Sequence, residues 1–467
     1  VRVRLIAKGS VDHGNIVVLN NDGTVSKGET SYNWSVGNTS TFESSEARST
    51  SSLFIPDKDR IVVFYSDWDN QRNGYYKICN ISNNSTSFSG KVLLLETYMS
   101  YISTYYSLNS KKIIIAYKDN GHLGYGKVIV GEFNGDVLMF GDPVTFSEDE
   151  QVGIDVCGDG ADKILVTYRR NGMTVSAKVG TINDLSVSFG DRNDFTPSSA
   201  SAFKTLYNKV HDKFVICIQN DSNSNGECIL GTVTENSVSF MPPVLFAASI
   251  HNLCVGTDVS GKLMIAYSDK SDSYRGKLLI GTIAGDLVSF NSQVLFHNGS
   301  CSYFNLNYNP IDNIFMLVYF PSTSSSGCKP RAMMCKIVNN SVEIGNVIEI
   351  NDLQSTLLGS VYDYLNNRGL VFYSLPLSSY AGKATVVNPN VESNISDWVG
   401  VSNGSYLNAE EVEIFNVNDI LENQNNLIAG ETYYISESAE LINFPTTYGV
   451  VGEAVDETSL RITNVNI

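Results

Sequence analysis

Positive charge, histidine, tryptophan and proline are all scarce in this 467-residue chain. Its 32 lysines and arginines face 49 aspartates and glutamates, a net charge of −17. A nucleic-acid binder needs a basic stripe to neutralise phosphates, and none is present, so no nucleic-acid partner is expected. The same acidity disfavours anionic membranes. No apolar run approaches the length of a bilayer span, so no membrane insertion is expected. No secretory signal is visible. The 8 cysteines contain no C-x-x-C pair, which argues against zinc. Most lie inside apolar runs such as Phe214–Ile218 and read as small core residues, although hairpins could bring Cys217 to Cys228 or Cys328 to Cys335. The 5 histidines show no ligand spacing. Asp221, Asn223, Asn225 and Gly226 match the opening of a calcium loop, but Thr232 stands where its closing Glu belongs. No cofactor is therefore expected. A G-x-S-x-G elbow is missing. The sialidase turn S-x-D-x-G-x-T-W is only brushed by Ser66-Asp67-Trp68-Asp69, and the expectation is that the chain is not an enzyme.

Low proline combined with abundant Asn, Ser, Gly and Tyr suits many short strands joined by turns. The stretch Leu263–Phe296 shows how they are arranged: L-M-I-A-Y-S-D, a polar turn, G-K-L-L-I-G-T-I, a short turn, then L-V-S-F-N-S-Q-V-L-F. These are β-rich runs bounded by polar turns. The same paragraph recurs at Ile113–Tyr117, Tyr125–Phe133 and Val137–Phe146. An anchor in the second run falls at Tyr65, Tyr117, Tyr168, Ile218, Tyr267, Tyr319 and Tyr373, at steps of 49 to 54 residues. Another β-prone run precedes each anchor strand, for example Tyr303–Tyr308. Four strands, here A to D, at a period near 50 residues describe a β-propeller blade.

The outer D strand has its own marker at Phe88, Phe140, Phe189, Phe240, Phe290 and Ile344. No D strand follows the seventh A-B-C set, where Asn388-Pro389-Asn390 is expected to end the pattern. The missing copy is Ser31–Ser35, with Trp34 lying 54 residues before Phe88. The expected fold is therefore all-β. A seven-bladed propeller spans 31–396, and its N-terminal strand closes the last blade so that no sheet edge stays unpaired. Residues 1–30 and 397–467 are expected to form a small β-domain into which the propeller is inserted.

These outer segments carry a resemblance. Gly14-Asn15-Ile16-Val17-Val18-Leu19-Asn20-Asn21-Asp22-Gly23-Thr24-Val25 resembles a motif of bacteriophage tail-fibre and other virion proteins. Val399-Gly400-Val401, Glu422–Leu427, Ala429–Ile435 and Tyr448–Ala454 are similar to its second half. The resemblance implies a virion surface protein, a tail fibre or a head or tail appendage used for host attachment. Its implied partners are other virion proteins and a host surface glycan or receptor, with a homo-oligomer possible. It transfers no catalytic residue.

A ligand face is expected where the B–C turns emerge. Asp67, Trp68 and Asp69 occupy the first such turn and Asp119 and His122 the second, while Asp269, Asp272, Tyr274 and Arg275 occupy the fifth. Carboxylates beside aromatics suit sugars, by hydrogen bonds to hydroxyls and by stacking on pyranose faces. Trp68, Tyr274 and Asp269 are expected to be exposed. The competing readings are a glycan-degrading propeller enzyme and a purely structural decoration protein. A catalytic carboxylate pair would break repeat symmetry, whereas these acids repeat.

Overall fold

Short apolar runs bounded by turn residues fold here into successive antiparallel sheets. The structure is a computed structural model. It describes residues 4–7, 16–19, 25–27, 30–82, 84–172, 174–195, 199–323, 328–338, 340–393, 398–401, 411–413, 420–421, 432–435, 441–442, 450–454 and 460–462. Strands dominate, and apart from three single-turn 3-10 segments there is no helix among the described residues. The chain divides into two units, Trp34–Asn388 on one side and Val1–Asn33 with Pro389–Ile467 on the other.

In the larger unit each repeat is a sheet whose strands lie side by side in chain order. One consists of Ile250–Thr257, Leu263–Asp269, Arg275–Ala284 and Leu287–Phe290. Its outer edge is extended by Val294–Ser300, which pairs with the third strand beside Leu287–Phe290. Sheets of the same order begin at Gln151, Ala200 and Ser302. Elsewhere two long strands tie sheets together. Val92–Ser107 pairs first with Asn73–Ser82 and then with Lys112–Asp119. Thr30–Ile55 lies between Arg60–Asp67 and Ala381–Ser393, so the start of this unit pairs with its end.

Second strands are apolar at nearly every position because both their faces are covered. Leu263–Asp269 and Ile314–Phe320 are buried throughout. The anchors Tyr65, Tyr117, Tyr168, Tyr267, Tyr319 and Tyr373 are among the largest fully buried side chains. A second packing rule recurs one strand further out. Gly126, Gly226 and Gly276 open third strands, and a Cβ there would run into Phe146, Phe246 and Phe296, each twenty residues on. At Gly382 the ring in that position is Phe42, supplied by the N-terminal strand. Phe42 is 1% exposed and also packs edge-on against Tyr65 and Phe372. Trp34, on the same strand, is 7% exposed.

The break expected at Asn388-Pro389-Asn390 coincides with the boundary between the two units, which falls after Asn388. The strand Ala381–Ser393 itself runs on through it, and Pro389 stands beyond Val387, the last residue in register with the second strand at Gly369.

In the smaller unit, Ile16–Leu19 pairs with Val25–Lys27 and with Trp398–Val401, and Arg4–Ile6 pairs with Glu411–Glu413. The two ends of the chain thus share sheets. A further sheet runs Ile420–Leu421, Leu460–Ile462, Val450–Ala454, Thr432–Ile435 and Leu441–Ile442. The turn Asn20–Gly23 and the segment Glu422–Leu427, both part of the tail-fibre resemblance, lie outside the described residues.

Candidate functional site

First strands start beside the ends of second strands, as in Ile250 opposite Asp269, so their openings share one end of the sheet with the B–C turns. Each first strand bulges near that opening. Register shifts fall between Arg48 and Ser51, Ser100 and Ser103, Gln151 and Gly153, Ala200 and Ala202, His251 and Leu253, Ser302 and Asn305, and Leu357 and Gly359. A bulge inserts residues that leave the ladder and re-aims their side chains. Ser49, Tyr101, Asn252 and Tyr303 take left-handed backbone there, with φ of 49°, 51°, 60° and 55°. Bulky residues avoid that region, so the two tyrosines are held in strained positions. Their side chains are 48% and 39% exposed.

Tyr101 and Tyr303 together line a hollow of about 970 Å³, with Arg48, Trp68, Tyr98, Lys118, Asn120 and Tyr380 around it. The same two tyrosines border a second hollow of about 340 Å³ that also includes Phe203, Lys204, Asn252 and Asn305. Residues from widely separated repeats thus converge on one mouth.

The B–C turns contribute aromatics by a related device. Gln71 and Arg72, Ser273 and Tyr274, and Ser379 and Tyr380 are consecutive left-handed pairs, where the second turn has Leu123 and Gly124. Glycine suits such a position. Arg72, Tyr274 and Tyr380 occupy it instead.

The acids expected to face a ligand are mostly engaged elsewhere. Asp67, Asp119 and Asp269 are 1%, 1% and 6% exposed, which corrects the expectation that Asp269 is open to solvent. Each ends a second strand and binds the turn that follows. Asp269 accepts from the N–H groups of Ser271 and Asp272 at 2.9 and 3.2 Å, and from Lys277 Nζ at 2.7 Å. Asp119 accepts from Gly121 N–H at 3.1 Å and Lys127 Nζ at 2.7 Å, with His122 Nδ1 at 2.7 Å. Asp67 accepts from Asp69 N–H at 3.2 Å and Lys91 Nζ at 2.5 Å. Burial alone would raise the carboxyl pKa of Asp119 and Asp269. The bonds from Lys127 and Thr97, and from Lys277 and Ser271, outweigh it and hold both below the usual range. These three carboxylates shape the turns.

The other expected residues are scattered over the same face. Asp69 is exposed and accepts from Glu46 N–H at 3.0 Å. His122 is exposed. Asp272, Tyr274 and Arg275 are half-buried; Arg275 bonds Asp272 at 3.2 Å, and Tyr274 meets His251 edge-on. Trp68 alone of the nine lines the main hollow. Its ring carries the guanidinium groups of Arg48 and Arg72 at 4.1 and 4.3 Å and meets Tyr98 edge-on.

Sequence reasoning missed Tyr98, Tyr101, Tyr303 and Tyr380. For two of them the signal was phase: Tyr101 and Tyr303 stand at equivalent points of two repeats, the same distance ahead of the anchors Tyr117 and Tyr319. Cys217 and Cys228 lie directly opposite each other on adjacent strands as free thiols. No group of His, Cys, Asp and Glu that could hold a metal occurs among the described residues.

Solved structures similar to this chain include the following two. One is the β-propeller domain of Cps50 (Swd1) from Myceliophteria thermophila, 10% identical over 75% of this chain and 99% of that one, with a TM-score of 0.45. The other is a protein from Lactobacillus plantarum, 11% identical over 67% of this chain and 90% of that one, with a TM-score of 0.48. No family model matches the chain, and no curated protein matches it.

Proposed function

We propose that the larger unit is a seven-bladed β-propeller closed by Thr30–Ile55. We propose further that the chain is a non-enzymatic virion surface protein which attaches to its host by holding a cell-surface glycan at the propeller's mouth. The observation that carries the glycan reading is the hollow between Tyr101 and Tyr303, with Trp68, Tyr98 and Tyr380 around it. Exposed aromatics held on strained backbone are platforms of the kind pyranose faces stack on, and Asn120 places a side-chain amide beside them. Ring closure is supported by Phe42, which fills beside Gly382 the place that Phe146, Phe246 and Phe296 fill in other repeats. The virion assignment, its surface location and its virion partners rest on the motif resemblance of the terminal segments. A shallow sugar site of this kind binds weakly alone, and many copies on one particle raise the avidity without new contacts.

The test incubates the purified protein with bacterial capsular polysaccharide and lipopolysaccharide sugars. Retention of intact glycan, lost in a Tyr101→Ala, Tyr303→Ala double variant, supports the reading. Released oligosaccharide would establish the degrading enzyme instead, and no retention of any glycan would leave the decoration protein.

A further inference from the structure

Although the chain carries a net charge of −17, no carboxylate lines either hollow of the mouth. Arg48, Lys118 and Lys204 do. Their acidic partners approach from outside the lining: Glu46 bonds Arg48 Nε, Glu150 lies 3.0 Å from Lys118, and Asp155 lies 3.4 Å from Lys204. Arg72 stands apart from these. It is exposed, and among the described residues no carboxylate pairs with it. Two guanidinium groups therefore sit on Trp68, Arg48 at 4.1 Å and Arg72 at 4.3 Å from the ring centre, with Tyr380 and Tyr98 extending the stack at 5.3 and 5.5 Å.

We infer that the saccharide taken by this mouth is acidic, with a carboxylate or phosphate seated on Arg48 and Arg72. The inference rests on the glycan-binding reading above. A stacked guanidinium keeps its N–H edge free, and that edge matches a carboxylate or phosphate in bidentate fashion. With both arginines on its ring, Trp68 acts as a mount for guanidinium groups and leaves sugar stacking to Tyr101 and Tyr303. The two cations repel each other. The indole ring and Glu46 offset part of that repulsion, and an incoming anion relieves the rest. In a molecule this acidic, hollows whose lining carries cations and no carboxylate lessen the local repulsion an anionic ligand would meet elsewhere on the surface.

The experiment is calorimetric titration of the full chain with a glucuronate-containing oligosaccharide, its carboxyl-reduced counterpart and a phosphodiester-linked glycan. Arg72→Gln is the variant, since its exposed side chain is no part of the core. The expected result is binding of an acidic probe tighter than the reduced probe by about tenfold or more, with Arg72→Gln removing most of the difference. The carboxylate and phosphodiester arms show which anion is preferred. Equal affinity for acidic and reduced probes, with both lost in Tyr303→Ala, would overturn the acidic ligand and leave glycan binding standing. Failure of all three probes, and of a wider neutral panel, would overturn both.

Discussion

Asp269 shows how one residue type serves two ends. In the sequence, Asp beside Trp or Tyr in a turn suggests a sugar site; in the fold, the same carboxylate caps its turn and pairs with Lys277. The legible signal was the lysine eight residues on, in Asp119/Lys127 and Asp269/Lys277, which places both groups across one hairpin. Removing one partner of a largely buried pair leaves the other charge uncompensated. Asp269→Ala is accordingly expected to lower stability by about 3–5 kcal/mol, read from the denaturant midpoint. Because the folded carboxyl pKa is depressed, its contribution is complete above the unfolded value of about 3.9 and is lost as pH falls through the folded value. Midpoints measured from neutral pH down to acid should therefore fall more steeply for the parent than for Asp269→Asn. Identical slopes would show that the pair contributes nothing.

The strand repeat was open to reading because six of its seven anchors are tyrosines in one kind of place, with Ile218 the exception. Six buried tyrosines at a period near 50 residues need a covered strand, and only repeated four-stranded sheets supply one so regularly. The bulges were not open to reading. Ser49, Tyr101 and Asn252 share no residue type, and their left-handed backbone falls where each first strand slips register against the second strand of its own repeat. The glycine-phenylalanine pairs lie between these cases: the spacing is visible, the contact is not. Gly126→Ala is expected to push the Phe146 ring from its place and cost about 1–3 kcal/mol. Gly382→Ala should cost a similar amount through Phe42, although that ring is more than three hundred residues away in sequence. Thermal melts of the two variants check this, and an unchanged melt for Gly382→Ala would contradict the shared outer strand. Trp34→Ala, on the same N-terminal strand, is expected to cost about 3–5 kcal/mol.

At the scale of the whole molecule, the smaller unit is a set of sheets built from both chain ends. Residues 397–467 expressed without residues 1–30 lack the strands that pair with Trp398–Val401 and Glu411–Glu413. They are expected to give a poorly dispersed NMR spectrum, and sharp dispersion would contradict the co-folding. The central claim is that the mouth ringed by Tyr101 and Tyr303 is where the molecule binds. The turns at the other end of the sheets supply the control, for they hold exposed Leu108 and Ile311. The most direct measurement is surface plasmon resonance of three proteins over immobilised bacterial surface polysaccharides: the parent, Tyr101→Ala with Tyr303→Ala, and Leu108→Ser with Ile311→Ser. The account predicts that the parent and the Leu108/Ile311 variant bind alike and that the tyrosine variant, folded and equally stable, does not bind. Binding retained by the tyrosine variant but lost in the Leu108/Ile311 variant would contradict it.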